Sequence, residues 1–499
     1  MATGDYNWDA ALFRIMPSIF DAKDVEERNQ LLVNWINRLG RVKVNKIREE
    51  DTSGVTAWPD FSWMDNPDLG KTLPRKLNQI KNCKRNKDNY YLYYDSDTAM
   101  FPQFQLEKRY ENLSFYDDSG MRLLALFRLW NIVQYFYPYR YMIEKEWDAA
   151  LAEFIPKFLD GFTSLDYKQA IFELTNRLND NLLLYRYLYM ARPNWQSFYT
   201  SPYKFVTVEN KLIVKEYFDK TLGQKSGLIP GDIILNINNT PVEKLIHPSE
   251  FILPLTTFFR EGYIRTPESQ IVTADIIRDG KRLTREVTNY NVLFFPDSME
   301  KNHHSILSTD IGYIETKNLK IDSIPIIMKS LMDSKGLIID ARSYISEDSL
   351  FSVICSYLLP NPVEFAAFSR IDATQPGKFT LMPAQKVGKE NPDYYKGKVV
   401  LLINEATFAH SEIFAMHVVP NVTIIGSEII SSYFYYTTII LLGNIYTLMT
   451  GTGLYTPDGR DMLYRGIQLD VELKPTLQGI IEGSDELIEK AIEIINESQ

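Results

Sequence analysis

Apolar positions in the first 180 residues recur at helical spacing, and three stretches stand out. Trp8–Leu39 reads as two helices, Trp147–Leu178 reads as two more, and Leu123–Tyr137 (LLALFRLWNIVQYFY) is a long apolar helix that stops at Pro138. From Tyr203 to Tyr290 the period falls to two. KLIVKEYF, DIILNI, QIVTADII and RLTREVTNY predict strands separated by Gly, Pro and Asn turns. Beyond Ile311 strands and helices alternate. IGYIET, GLIIDAR, GKVVLLIN and VTIIGSE are the strands, with helices expected over Ser323–Ser334, Ser411–Val418 and Ser484–Asn496. That order predicts a mostly parallel sheet buried on both faces. Residues 43–115 are polar and are expected to be irregular with a few strands.

The two helix pairs are copies of one unit. WDAAL occurs at Trp8–Leu12 and again at Trp147–Leu151, an offset of 139. At that offset Pro17 matches Pro156, and Asn37-Arg38-Leu39 matches Asn176-Arg177-Leu178. The second helices begin at Asp24 and Ser164, both good N-caps. Only the second copy is preceded by the long apolar helix. The first copy is therefore expected to lack its packing partner, as if the chain were shortened at its N-terminus relative to an ancestor. The alternative is a terminal repeat that never had the helix.

A length of 499 residues calls for three or four domains, and 45% apolar with 24% charged residues is ordinary globular composition. The net charge of −10 argues against a nucleic-acid partner. Cys83 and Cys355 are far apart and give neither a disulfide framework nor a metal-ligand spacing; buried small hydrophobes are expected. No HxxxH or HExxH spacing suggests zinc, and no Walker or dinucleotide glycine pattern is present, so no metal or cofactor is expected. His303-His304 sits in a polar linker, and His417 reads as a helix-face residue. Ile429–Pro457 carries no charge, but its glycines and polar residues suit two buried strands turning near Gly443-Asn444 better than a membrane span. The opening MATGDYNWDAALF has neither the basic nor the apolar region of a signal peptide.

Ser226–Val242 (SGLIPGDIILNINNTPV) closes a short helix at Gly227, turns at Pro230-Gly231-Asp232 into a buried strand, and turns again at Asn238-Asn239. The run resembles the PDZ signature. PDZ domains add an extended peptide to a sheet edge, so Gly227, Leu228, Ile229, Gly231 and Asp232 become candidate peptide-binding residues. The alternative is a spacer of the same fold with no ligand.

Gly397–Met416 (GKVVLLINEATFAHSEIFAM) and Gly453–Thr476 (GLYTPDGRDMLYRGIQLDVELKPT) resemble the nucleophile and closing segments of the tail-specific, C-terminal-processing serine peptidases, in particular their tricorn-core-like branch. The resemblance runs from about Leu123 to the end. It implies a crotonase- or Clp-protease-like α/β core, an exported location and the cleavage of unfolded chain ends. The expected fold is thus multidomain α/β. It comprises helical repeat copies at 1–42 and 116–200 with a connector at 43–115 between them, a PDZ-like module at 201–295 and the peptidase core at 305–499.

The same resemblance puts the chemistry in question. The nucleophile position, three residues before Glu412, holds Ala409, and the base position holds Leu182 after Asn179-Asp180-Asn181. A methyl group cannot attack a carbonyl, and losing a triad serine costs on the order of 10⁶ in kcat. The lysine of the Ser–Lys branch is replaced by Ser432-Tyr433, within a bulky ISSYFYY run that is expected to fill the cleft. Asp461 stands at the acidic position, with a solvated turn aspartate as the alternative. The oxyanion loop is expected near Arg342-Ser343-Tyr344, with the backbone N–H of His410 as a further donor. Three readings follow. The chain is a non-catalytic homologue that binds polypeptide chains or C-terminal peptides, an active peptidase with a displaced nucleophile such as Ser411, or a decayed gene product.

Overall fold

The computed structural model describes residues 7–38, 52–83, 91–94, 101–104, 107–108, 110, 117–143, 147–160, 163–178, 180, 199–243, 258–260, 263–266, 270–291, 304–308, 310–343, 345, 347, 349–405, 407–427, 431–433, 435–443, 445–462 and 467–498. The chain divides into two compact units. The first comprises residues 1–190, 366–384 and 434–463; the second comprises 191–365, 385–433 and 464–499. The 305–499 segment expected to form one core therefore contributes to both.

The first unit is organised around the helix Ser119–Phe136. Asp118 caps its start by accepting from Met121 N, and the chain leaves helical geometry at Tyr137, as a residue before proline tends to do. The helix is buried on most of its surface, so it lies inside the unit rather than at its rim. The helices Trp147–Leu159 and Ser164–Asn176 pack on it. Trp130 and Trp147 exchange indole-to-carbonyl hydrogen bonds of 3.0 and 3.1 Å. The cap of Ser164–Asn176 is Thr163, one residue before the expected Ser164, in a reciprocal capping box with Asp166.

The first helix pair, Trp8–Phe20 and Val25–Arg38, also has its partners. Leu12, Phe13 and Met16 pack against the core built on Ser119–Phe136. Val33 and Ile36 are covered by Leu73 and Leu77 of a helix at Thr72–Lys81, inside the connector expected to be irregular. The first pair is thus covered in part by the core that serves the second and in part by Thr72–Lys81. The hairpin Tyr436–Leu441 and Ile445–Thr450, with Gly443 at its turn, completes the unit. Its Ile439, Leu441, Ile445 and Met449 enter the helical core. Within Ile429–Pro457 the described regular elements are strands joined by turns, and no helix among the described residues is long and apolar enough to cross a membrane.

The second unit holds two sheets of consequence. Strands Tyr203–Val208, Lys211–Tyr217, Ile233–Ile237, Ile271–Arg278 and Lys281–Thr288 form an antiparallel sheet whose two hairpin partners flank the Ile233–Ile237 strand. Leu212, Val214, Ile234, Ala274 and Ile276 fill its core. The other sheet runs in the order His304–Ser308, Ile311–Glu315, Gly336–Asp340, Lys398–Ile403, Val422–Gly426 and Val471–Glu472. Only the first pair is antiparallel. His304 thus starts a strand rather than lying in a linker, and His303 is outside the described residues. The helix Glu486–Glu497, capped by Asp485, lays Leu487, Ala491 and Ile495 on Ile338, Val400, Leu402 and Ile425. Cys83 and Cys355 are free and buried, and burial pushes the Cys355 thiol up to about 12.

Gly426 marks where the sheet tolerates no side chain. Its φ is +146°, and an added Cβ would lie 1.8 Å from Ile403 O. Gly426→Ala is expected to cost about 3 kcal/mol or more in urea unfolding, because backbone must move to admit it. A cost under about 1 kcal/mol would show that the strand end relaxes freely.

Candidate active site

The strand Lys398–Ile403 is buried over its last five residues, with parallel strands on both sides. The ladder satisfies its backbone until Ile403, after which the chain must leave the sheet without stranding polar groups. Thr407, fully buried, solves this. Asn404 N donates to its Oγ1 at 2.9 Å, Thr407 N donates to Asn404 O at 2.9 Å, and the hydroxyl donates to Ala341 O at 2.8 Å. Ala341 N in turn donates to Leu402 O at 2.9 Å. One side chain fastens the turn to the loop leaving Gly336–Asp340.

Phe408–His410 then forms a short strand, and Ser411–Val418 follows as a 3₁₀ helix in place of the expected α-helix. Ala409 is the middle residue of that strand, at the exit from sheet to helix. Ser411 opens the helix, and His417 is exposed near its end. The strand pairs in parallel with Ser431–Tyr433, which sets Ala409 opposite Ser432 and His410 opposite Tyr433. The residues standing where a lysine was sought are therefore a strand partner of the 409 segment.

The loop expected to offer oxyanion donors is occupied by other bonds. Ser343 N donates to Ala341 O at 2.8 Å. Arg342 turns its guanidinium to Asp340, with Nε–Oδ1 at 2.9 Å and Nη2–Oδ2 at 2.6 Å, and to Asp485, with Nη1–Oδ1 at 2.9 Å and Nη2–Oδ2 at 2.8 Å. Tyr313 OH donates to Asp340 Oδ2 at 2.8 Å. Burial pushes the Asp485 carboxyl up, but the hydrogen bonds and charge of Arg342 outweigh it and hold the group below its ordinary value. Tyr344 is outside the described residues.

Ala409 belongs to the second unit, whereas Asp461 belongs to the first. There Asp461 Oδ2 accepts from Tyr141 OH at 2.6 Å. Burial first, and then that bond, raises the Tyr141 phenol well above its usual value, so it stays a donor. Tyr141 gave no signal in the sequence beyond a tyrosine-rich run after Pro138. Leu182 lies outside the described residues. Asp180, two positions before it, is buried and accepts from Thr450 N at 2.8 Å and from Thr450 Oγ1 at 3.1 Å. The aspartate of the expected base segment thus ties down the hairpin strand Ile445–Thr450.

In the antiparallel module, Asp232 is fully buried and bridged twice by Arg278 at 2.7 Å. The backbone amides of the candidate peptide-binding turn are engaged internally: Leu228 N with Tyr203 OH, Ile229 N with Asp232 Oδ2, Gly231 N with Val214 O and Asp232 N with Ile229 O. Gly227 and Gly231 have φ of +98° and +92°, and a Cβ on Gly227 would lie 2.2 Å from Glu286 O. Ile229 alone of the five presents a substantially exposed side chain. No group of three or more His, Cys, Asp or Glu among the described residues is placed to hold a metal ion.

A mostly parallel core sheet, a strand-to-helix turn ahead of its 3₁₀ helix and a helical companion unit define a multidomain α/β fold similar to that of CPAF. Among solved structures, mature CPAF superposes with a TM-score of 0.55 at 13% identity, covering 76% of this chain and 98% of that one. CPAF complexed with lactacystin gives 0.54 at 12% identity, and a serine-to-alanine CPAF mutant gives 0.56 at 12%, with the same coverage. At these identities the likeness is one of fold. No family model matches the chain, and no curated protein matches it in sequence.

Two substitutions test this geometry. Thr407→Val removes the hydroxyl partner of Asn404 N and one of the two donors to Ala341 O, and is expected to cost about 1–3 kcal/mol in denaturant unfolding, while Thr407→Ser recovers most of it. Asp485 is expected to contribute to stability above the ordinary aspartate range near pH ~3.9, a contribution lost as the pH falls through the lower folded-state value. Asp485→Asn should therefore flatten the acid limb of the stability profile; identical acid limbs in mutant and parent would contradict the assignment.

Proposed function

We propose that this chain is a peptidase-fold protein that binds polypeptide and has lost efficient catalysis. The observation that carries the reading is the methyl group of Ala409 at the exit from the core strand to the 3₁₀ helix, where the family resemblance asks for a hydroxyl. Without that oxygen no acyl intermediate forms at this position. The engagement of the other expected site groups supports it. Arg342 serves Asp340 and Asp485, Ser343 N serves Ala341, and Asp461 accepts from Tyr141. Binding rests on the module at 201–295, read as PDZ-like, whose outer strands offer edges for an added peptide strand. Gly227, Gly231 and Asp232 then act by shaping the turn, and Ile229 is the member able to touch a ligand.

The test uses the full chain. It is expected to leave an unfolded protein substrate intact, to resist a fluorophosphonate serine probe, and to retain peptides with hydrophobic C-termini. Stoichiometric labelling at Ser411 that disappears in Ser411→Ala would overturn the non-catalytic reading in favour of a displaced nucleophile. Failure to bind any such peptide would favour decay. Restoring both positions, Ala409→Ser with Leu182→His, is expected to recover measurable cleavage; continued silence would place the block in the 431–433 strand partner.

A further inference from the structure

One ionic cluster in the first unit serves none of the roles above. Arg128, on the helix Ser119–Phe136, points its guanidinium at two carboxylates. Nη2 lies 2.6 Å from Asp9 Oδ2, on the helix Trp8–Phe20, and Nε lies 3.0 Å from Glu107 Oε2, on the connector. Nη1 donates to Lys108 O at 2.8 Å. The side chains of Asp9, Arg128 and Glu107 are 7%, 7% and 12% exposed. Two buried carboxylates thus share one guanidinium, and with both ionised the cluster carries an excess negative charge. The two acids are not equivalent. Asp9 Oδ2 also accepts from Tyr110 OH at 2.8 Å, whereas Glu107 Oε2 and Arg128 Nε approach without hydrogen-bond alignment. Glu107 is the member with least to lose by taking a proton.

Among the described residues, the other charged or titratable groups facing the cluster are Tyr91, whose hydroxyl accepts from Trp8 N, Tyr110, and Lys108, whose ammonium sits 5.1 Å from the Tyr110 ring centroid. We propose that Asp9, Arg128 and Glu107 form a proton-operated latch that fastens the helix Trp8–Phe20 to the helix Ser119–Phe136 under mildly acidic conditions and slackens as the pH rises through neutrality. The latch joins the first helix pair to the central helix, so its opening would uncover Leu12, Phe13 and Met16.

The direction follows from the charges. Burial pushes the Glu107 carboxyl up, the charge of Arg128 pulls it down, and the charge of Asp9 pushes it up again, leaving it at about 7. The docked state therefore holds a proton that the released state gives up from about pH 4.5 upward. Docking is strongest toward the lower end of that window and weakens across it, levelling off once Glu107 is ionised in both states.

Hydrogen exchange on the full chain, corrected for intrinsic rates, tests this. Between about pH 6 and pH 8.5 the open population of the Trp8–Phe20 amides is expected to rise roughly tenfold, with no such rise in Glu107→Gln. Asp9→Asn keeps Glu107 and its burial, the larger cause of its raised value, but removes the lesser contribution of the Asp9 charge, so its rise should persist and be smaller; this gives a second readout if Glu107→Gln does not fold. A wild-type profile flat with pH, or the same rise in Glu107→Gln or undiminished in Asp9→Asn, would overturn the proposal.

Discussion

The buried hydroxyl of Thr407 is the contact on which the candidate site depends. A strand buried on both faces must end somewhere, and wherever it ends its next amides and carbonyls need partners. Here one hydroxyl accepts from Asn404 N and donates to Ala341 O, joining the ends of two neighbouring parallel strands. The backbone course into Phe408–His410 is therefore set by a side chain two positions before the one expected to react. The atoms that fasten the loop thus belong to Asn404, Thr407 and Ala341 rather than to Ala409.

Much of the architecture could be read from the chain because it follows from local rules. GLIIDAR and GKVVLLIN are too continuously apolar to face water on either side, and they lie adjacent and buried in the parallel sheet. KLIVKEYF and DIILNI pair as antiparallel neighbours because turns separate them. The uncharged 429–457 stretch gave up its hairpin through the Gly443-Asn444 turn signal. What it could not give was the hairpin's destination. Nothing local in Ile439 or Met449 says that they belong with helices more than 250 residues earlier in the chain.

The misreadings have the same origin. Thr72–Lys81 has a modest apolar stripe of Leu73, Leu77 and Ile80 among many charges, and it is helical because Val33 and Ile36 cover that stripe. The first helix pair looked bare because adjacency in sequence was used as a proxy for adjacency in space. At the candidate site, residue identities did not say how the groups around the 409 segment are used. Arg342 sits where oxyanion donors were sought, and only the fold shows that its guanidinium spans to a helix more than 140 residues later. Tyr141, likewise, reaches Asp461 across a separation that no motif encodes.

Asp485 combines two duties that are usually separate. Its carboxylate caps the terminal helix by accepting from Ile488 N, and it also grips Arg342 in the loop after Gly336–Asp340. The last helix is therefore more than a lid over Ile338 and Val400. Without it that loop would lose its outer anchor, and the loss would be felt at the mouth of the central sheet. The helix Glu486–Glu497 is thus part of the framework around the candidate site.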